Sequence, residues 1–316
     1  MANKEDKYSE KSSGWQKFCK FVWNSDTNQF LGRTGGSWCN QNYRVLHHFL
    51  PLFSCLLGAN TIDYRTPKYQ LEDSRIGSNP GLGFRPRPKD ENIDSTLIWF
   101  KNGNNEKNWK YWSDISPNKI SRLSICNLDF SDYRKSTPDA GAHMETCGEN
   151  QMASEGKFCH FDVNNIPSQC SAENHFGYQR GDPCVLIKLN KIFNWKPEPF
   201  SEEDLKDPNI PDVVRNSYSS RNNASQLIYV TCEGENAADK ENVGEIEYYP
   251  KPGIEFKYYP YTNQPGYLSP FVFAHFKKPT PGVLINIECK AWAKNIKHNR
   301  MDREGSVHFE LLVDGF

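Results

Sequence analysis

The amino-acid sequence predicts a mainly β protein, an antiparallel β-sandwich, on three observations. Two segments near the C-terminal end alternate apolar and polar residues with a period of two, the mark of half-buried strands. Four further short runs are rich in β-formers, and Cys232 and Cys289 both fall on apolar faces of such runs. The 316 residues are 37% hydrophobic and 13% aromatic, enough to bury an aromatic-rich core despite a mean hydropathy of -0.77.

In chain order, residues 1–38 form a polar tail with Lys4, Lys7, Lys11, Lys17, Lys20 and Arg33, in which Trp15, Phe18, Phe21 and Val22 are spaced for a short amphipathic helix. Such a basic, aromatic-dotted tail fits a segment next to a membrane or a flexible surface tail. Residues 39–60 hold the one strongly apolar stretch, Val45 to Ala59, interrupted by His47, His48 and Pro51. A membrane-crossing helix needs ~20 apolar residues, so this segment by itself admits three readings: a short anchor, a signal-peptide core or a buried helix. Residues 61–90 are a Pro/Gly-rich connector in which Gly81 and Gly83 read as turns.

The strands follow. Ser95–Phe100, Cys184–Leu189, Gln226–Cys232 and Phe271–Phe276 are the β-rich runs. In Val283–Ala291 the residues Val283, Ile285, Ile287, Cys289 and Ala291 share one face, and in Ser306–Val313 the face is Val307, Phe309, Leu311 and Val313. Cys232 and Cys289 are placed for a bridge across the sandwich, worth ~4 kcal/mol in the chain-entropy model.

Ten cysteines without a C-x-x-C pair exclude zinc-ribbon and thioredoxin readings. Scattered through turn-rich sequence, they are either buried thiols or bridges formed in an oxidising compartment. Asn223 in Asn223-Ala224-Ser225 is the single N-glycosylation acceptor and points the same way. The net charge of -1 argues against a nucleic-acid partner. No nucleophile elbow, P-loop, H-E-x-x-H or EF-hand is present, so no catalytic residue, metal ligand, cofactor or small-molecule substrate is expected. Glu202-Glu203-Asp204 reads as a solvated loop. The tyrosines of Tyr248-Tyr249-Pro250 and Tyr258-Tyr259-Pro260-Tyr261, with Tyr267 behind them, suit either a partly wet interface or the closed end of a core.

Several ordered motifs together resemble the beta subunits of sodium/potassium-transporting P-type ATPases. These are Phe30–Trp38 (F-L-G-R-T-G-G-S-W), Phe84-Arg85-Pro86, and Tyr178-x-x-Gly181-x-Pro183-Cys184-x-x-x-Lys188-Leu189-Asn190. Gly244–Pro250 (G-E-I-E-Y-Y-P), Tyr258–Tyr261 and Ile287–Ala291 (I-E-C-K-A) complete the set, which extends over residues 30–38 and most of 61–316.

The resemblance implies a single-pass type II protein of the plasma membrane. Residues 1–38 would be cytoplasmic, 39–60 would anchor in lipid, and 61–316 would form an extracellular, immunoglobulin-like sandwich. It implies three bridges, Cys147–Cys159, Cys170–Cys184 and Cys232–Cys289, and leaves Cys126 over. It further implies a non-catalytic role: assembly with the alpha subunit, delivery of it to the membrane and tuning of its cation affinity. Tyr258, Tyr259 and Tyr261 would lie against that partner, with Thr262 where the family commonly has another aromatic. An adhesion or junction module using the same sandwich is the alternative. The departure from the family lies after Trp38, where Cys39-Asn40-Gln41-Asn42-Tyr43-Arg44 replaces the start of a long apolar helix. Arg44, His47, His48 and Pro51 predict weak membrane integration.

Overall fold

The computed structural model describes residues 66–74, 77–88, 95–113, 142–148, 151–219, 226–299 and 301–315, with scattered positions between 15 and 34. The chain divides into two compact units, Met1–Tyr64 and Arg65–Phe316. In the first, Trp15, Phe18, Phe21 and Val22 are all helical, and the Trp15 and Phe18 rings stack at 5.7 Å. Three two-residue strands follow as a small antiparallel sheet: β1 (Trp23–Asn24), β2 (Gln29–Phe30) and β3 (Arg33–Thr34). The anchor expected at 39–60, Cys126 and Asn223 lie outside the described residues. Among the described residues, no helix is long and apolar enough to cross a membrane.

The second unit is mainly β. Its strands are β4 (Leu82–Arg85), β5 (Leu97–Lys101), β6 (Met144–Glu145), β7 (Phe158–Cys159), β8 (Cys184–Leu189) and β9 (Leu227–Gly234). They continue with β10 (Glu245–Tyr249), β11 (Gly253–Glu255), β12 (Val272–Lys277), β13 (Leu284–Trp292) and β14 (Ser306–Asp314). Short helices α1 (Glu106–Ser113), α2 (Asp212–Ser219) and α3 (Ala237–Asn242) sit between strands. One sheet has the order β10-β12-β8-β4 and the other β11-β9-β13-β14-β5. They share one core, in which Phe84 of β4 stacks on Phe309 of β14 at 4.9 Å and Phe276 of β12 meets Phe309 edge-on at 6.0 Å.

Each sheet follows from its sequence pattern. In β13 and β14 the apolar set is buried and the polar set partly exposed, as period two requires. β8 and β12 instead read as continuous apolar runs because both faces are covered. Val272, Ala274 and Phe276 meet the opposite sheet, while Phe273 and His275 lie under the segment 168–182, where the Phe176 and Phe273 rings sit 5.8 Å apart. That segment is held down by Cys170–Cys184, with Cα atoms 5.6 Å apart. Two glycines of the ordered motifs have steric reasons. Gly181 has φ +85°, and a Cβ there would lie 2.8 Å from Asn102 Nδ2. Gly244 has φ +73°, and a Cβ would lie 2.3 Å from the Lys277 carbonyl oxygen.

Four expectations need correction. The segment around Gly81 and Gly83, read as turns, contains strand β4, which pairs with β8 through Leu82↔Leu189 and Phe84↔Ile187. The sandwich is not wholly antiparallel, because β5 runs parallel to β14. Cys232–Cys289 does not cross the sandwich: the two residues sit directly opposite each other on neighbouring strands of one sheet, with Cα atoms 4.0 Å apart. Side-chain alternation fixes which face a cysteine occupies, and both cysteines do face the core, but it does not fix which strand is the neighbour. Finally, β10, read only as part of an aromatic motif, is the edge strand beside β12.

Candidate partner-binding surface

The aromatic surface is assembled from two stretches of chain far apart in sequence. One is the 3-10 turn Phe256–Tyr258 and the loop leading to Tyr267; the other is residues 190–195, just after β8. A parallel bridge joins Phe193 to Tyr261, and the Asn194 amide donates to the Tyr261 carbonyl at 2.8 Å. The peptide bonds before Pro250 and Pro260 are cis.

The three predicted contact tyrosines differ in what they leave available. Tyr258 is 9% exposed, its ring edge-on to Phe161 at 5.4 Å, and Lys257 lies over it at 5.2 Å while pairing with Glu255 at 2.5 Å. Tyr259 packs against the core edge-on to the buried Trp195, 5.5 Å between centroids. Burial pushes both hydroxyls far above the usual tyrosine range. Tyr261 is half-buried, and burial raises its hydroxyl too. That hydroxyl donates to Asn263 Oδ1 at 3.0 Å. The Tyr267 ring lies 5.0 Å from the Tyr261 ring, and its hydroxyl donates to the Tyr258 carbonyl at 3.2 Å. Thus Tyr258 is buried in the core, Tyr259 packs half-buried against it, and Tyr261 stands on a separate small cluster of Phe158 and Tyr267.

The neighbouring Tyr-Tyr pair is also divided. Tyr248 crosses from β10 to the other sheet, where its hydroxyl accepts from the Cys232 amide at 2.6 Å and donates to the Cys232 carbonyl at 3.4 Å. β11 pairs with β9 only at residues 227–229, so at Cys232 the strand edge would otherwise be open, and the hydroxyl closes it. Burial pushes this hydroxyl up to about 12. Tyr249 lies on the opposite face of β10, and its hydroxyl donates to Glu247.

The remaining bridge, Cys147–Cys159, has Cα atoms 5.5 Å apart and ties the β6–β7 pair. Among the described residues, the one group with metal-like spacing is Cys170, Cys184 and His275, and there the two sulfurs are bonded to each other. His275 is 3% exposed, with Asp182 at 3.6 Å and Glu247 at 4.0 Å. Asp204, from the acidic run, accepts hydrogen bonds from the Ser201 amide and hydroxyl and pairs with Lys294 at 3.1 Å. These contacts lower its carboxyl to about 2.

The family model described as "Sodium / potassium ATPase beta chain" matches residues 8–309. The chain belongs to that family. It is 39% identical to sodium/potassium-transporting ATPase subunit beta-2 of Drosophila melanogaster, over 93% of this chain and 91% of the relative. It is 35% identical to subunit beta-1 of the same organism, over 95% and 93%. With the human subunit beta-2 it shares 29% identity, over 95% and 94%. Within this beta chain, sequence reasoning singled out the tyrosines but missed Lys191 and Trp195. Lys191 directly follows the Lys188-Leu189-Asn190 end of a family motif, but a lone exposed lysine carries no sequence signal. Its relation to Tyr261 and Tyr267 exists only in three dimensions.

Proposed function

We propose that the chain is the non-catalytic beta subunit of a sodium/potassium-transporting P-type ATPase. In this reading it assembles with the catalytic alpha subunit, supports delivery of that subunit to the plasma membrane and tunes its cation affinity. The family match over residues 8–309, with 39% identity to an insect beta-2 subunit, carries the proposal. The three bridges support an oxidising, extracellular location for residues 61–316. The topology is single-pass type II, with 1–38 in the cytoplasm, 39–60 as a short anchor in lipid and Asn223 glycosylated. The two-sheet core is read as immunoglobulin-like. Tyr258 and Tyr259 support the alpha-facing surface from behind, and Tyr261 presents it.

Co-expression with an alpha subunit tests the assignment. The expected result is co-purification of the two chains and more alpha subunit at the cell surface than without the beta chain. A correctly bridged chain that recovers no alpha subunit overturns the reading, and cell–cell binding that persists without an alpha subunit would establish adhesion in its place. Carbonate washing of membranes, with glycosidase treatment read at Asn223, tests anchor and topology together. Partial release by carbonate is expected, because Arg44, His47, His48 and Pro51 each add cost to insertion.

A further inference from the structure

We infer that Lys191 is a positioning residue for the partner contact: it holds the Tyr261 ring in the orientation the alpha subunit meets. The inference rests on the proposed role of Tyr261 as the alpha-facing tyrosine. The Lys191 ammonium lies 4.9 Å from the Tyr261 ring centroid and 5.3 Å from that of Tyr267, close enough to be attracted by both ring faces. The two rings are themselves 5.0 Å apart at 49°, so one cation sits at the mouth of a two-ring cleft.

Each wall of the cleft is anchored differently. Tyr267 is 9% exposed, edge-on to Phe158 at 5.6 Å and tied through its hydroxyl to the Tyr258 carbonyl. It is the fixed wall. Tyr261 is only half-buried, and beyond its backbone bridge to 193–194 its ring is held by Tyr267, by the Asn263 acceptor and by Lys191. Asn263 lies two residues along the same turn, with φ +60°, so that hydrogen bond moves with the loop. Lys191 comes from the other stretch of chain and refers the ring to the end of β8. An exposed ring free to rotate loses freedom when a partner docks on it, whereas a ring already held loses less.

The cation rather than the aliphatic stem is the operative part. Met fills nearly the same volume without charge, and Arg keeps the charge and stacks well on aromatic faces. The test titrates the full chain against a sodium/potassium-pump alpha subunit in detergent, using wild type, Tyr261→Ala, Lys191→Met and Lys191→Arg. Tyr261→Ala is expected to weaken binding by about tenfold or more, as for a central aromatic contact. Lys191→Met is expected to weaken it about two- to fivefold, and Lys191→Arg to stay within about twofold of wild type. Lys191→Met is also expected to leave the melting temperature of the free chain unchanged, which a merely structural role would not.

The outcomes separate the two layers. An unaffected Tyr261→Ala sinks the alpha-facing assignment of this surface. A weakened Tyr261→Ala beside an unaffected Lys191→Met sinks the positioning role alone. Equal losses in Lys191→Met and Lys191→Arg, or a loss matched by a fall in melting temperature, also overturn it.

Discussion

The two sheets of the second unit are built on different economies of burial. In the four-stranded sheet the central strands β8 and β12 are covered on both sides, by the core beneath and by the segment 168–182 above, and are buried along almost their whole length, while the edge strand β10 is half-buried or exposed. The five-stranded sheet keeps part of its outer face wet, where Glu233, Glu288, Lys290 and His308 stand between its buried positions, while at one end Leu227, Tyr229 and Trp292 are buried there against Ile210 and Val214. The difference teaches what each sheet depends on. β8 and β12 need their lid; β13 and β14 rest largely on their own alternation, and the 227–229 end of β9 is covered by residues around Ile210 and Val214.

The two histidines repeat the contrast. On the wet sheet, His308 Nδ1 contacts Glu235 Oε1 at 2.5 Å and Nε2 contacts Glu310 Oε1 at 2.9 Å. A neutral imidazole has one N–H and can donate to one carboxylate, so this double contact suits the imidazolium. Under the lid, neither ring nitrogen of His275 has a hydrogen-bond partner among the described residues, and Asp182 lies 3.6 Å from Nε2.

The largest expected effect lies where the sheets meet. Phe309→Ala removes the ring that touches both Phe84 and Phe276 and should cost about 3–5 kcal/mol, read by denaturant unfolding. A cost under about 1 kcal/mol would mean that the sheets are stable separately. Next comes the lid: Cys170→Ser with Cys184→Ser opens a loop of separation 14 and should cost about 3 kcal/mol. Hydrogen exchange should quicken at β8 and β12 before β13, and uniform quickening would break the comparison. Tyr248→Phe leaves the buried Cys232 amide without its acceptor and should cost about 1–3 kcal/mol, with local opening at β9.

The smallest effect is pH-dependent. Burial pushes the His308 imidazole down, but its hydrogen bonds to Glu310 and Glu235 outweigh this and hold it above its ordinary value. A raised folded value means stability fully present below the unfolded value of about 6.5 and lost as pH rises through the folded one. Glu310 is subject to burial that raises it, outweighed by hydrogen bonds from Thr96 and His308 that lower it. Its contribution therefore survives mild acid. Urea midpoints of wild type and His308→Gln should differ more near pH 6 than near pH 8. A constant gap would remove His308 from the account.

The same contrast explains how much was legible. β13 and β14 could be read residue by residue because water on one face imposes alternation. β8 and β12 could be read only as apolar runs, with nothing to tell one face from the other. β4 was lost because Leu82-Gly83-Phe84-Arg85 lies among prolines and glycines that also spell turns. Its glycine is accommodated beside Asn190, whose Oδ1 would lie 3.5 Å from an added Cβ. Of the candidate surface, the tyrosines were visible as composition. Their division into a buried Tyr258 and half-buried Tyr259 and Tyr261 was not, since the latter two are packed by residues 190–195 arriving from another part of the chain.

The parallel pairing of β5 with β14 has a consequence for biosynthesis. Thr96, just before β5, donates to Glu310 at 2.6 Å across 214 positions of sequence. During synthesis β5 leaves the ribosome without its neighbour, and the sheet edge stays unfinished until residues 306–314 have followed. The two-sheet core therefore cannot close vectorially from its N-terminal side. Such long-range closure is slow and leaves strand edges exposed meanwhile. Until β14 is made, β5 remains an unpaired strand of the kind that invites wrong pairing, and early termination would leave it with no strand to join.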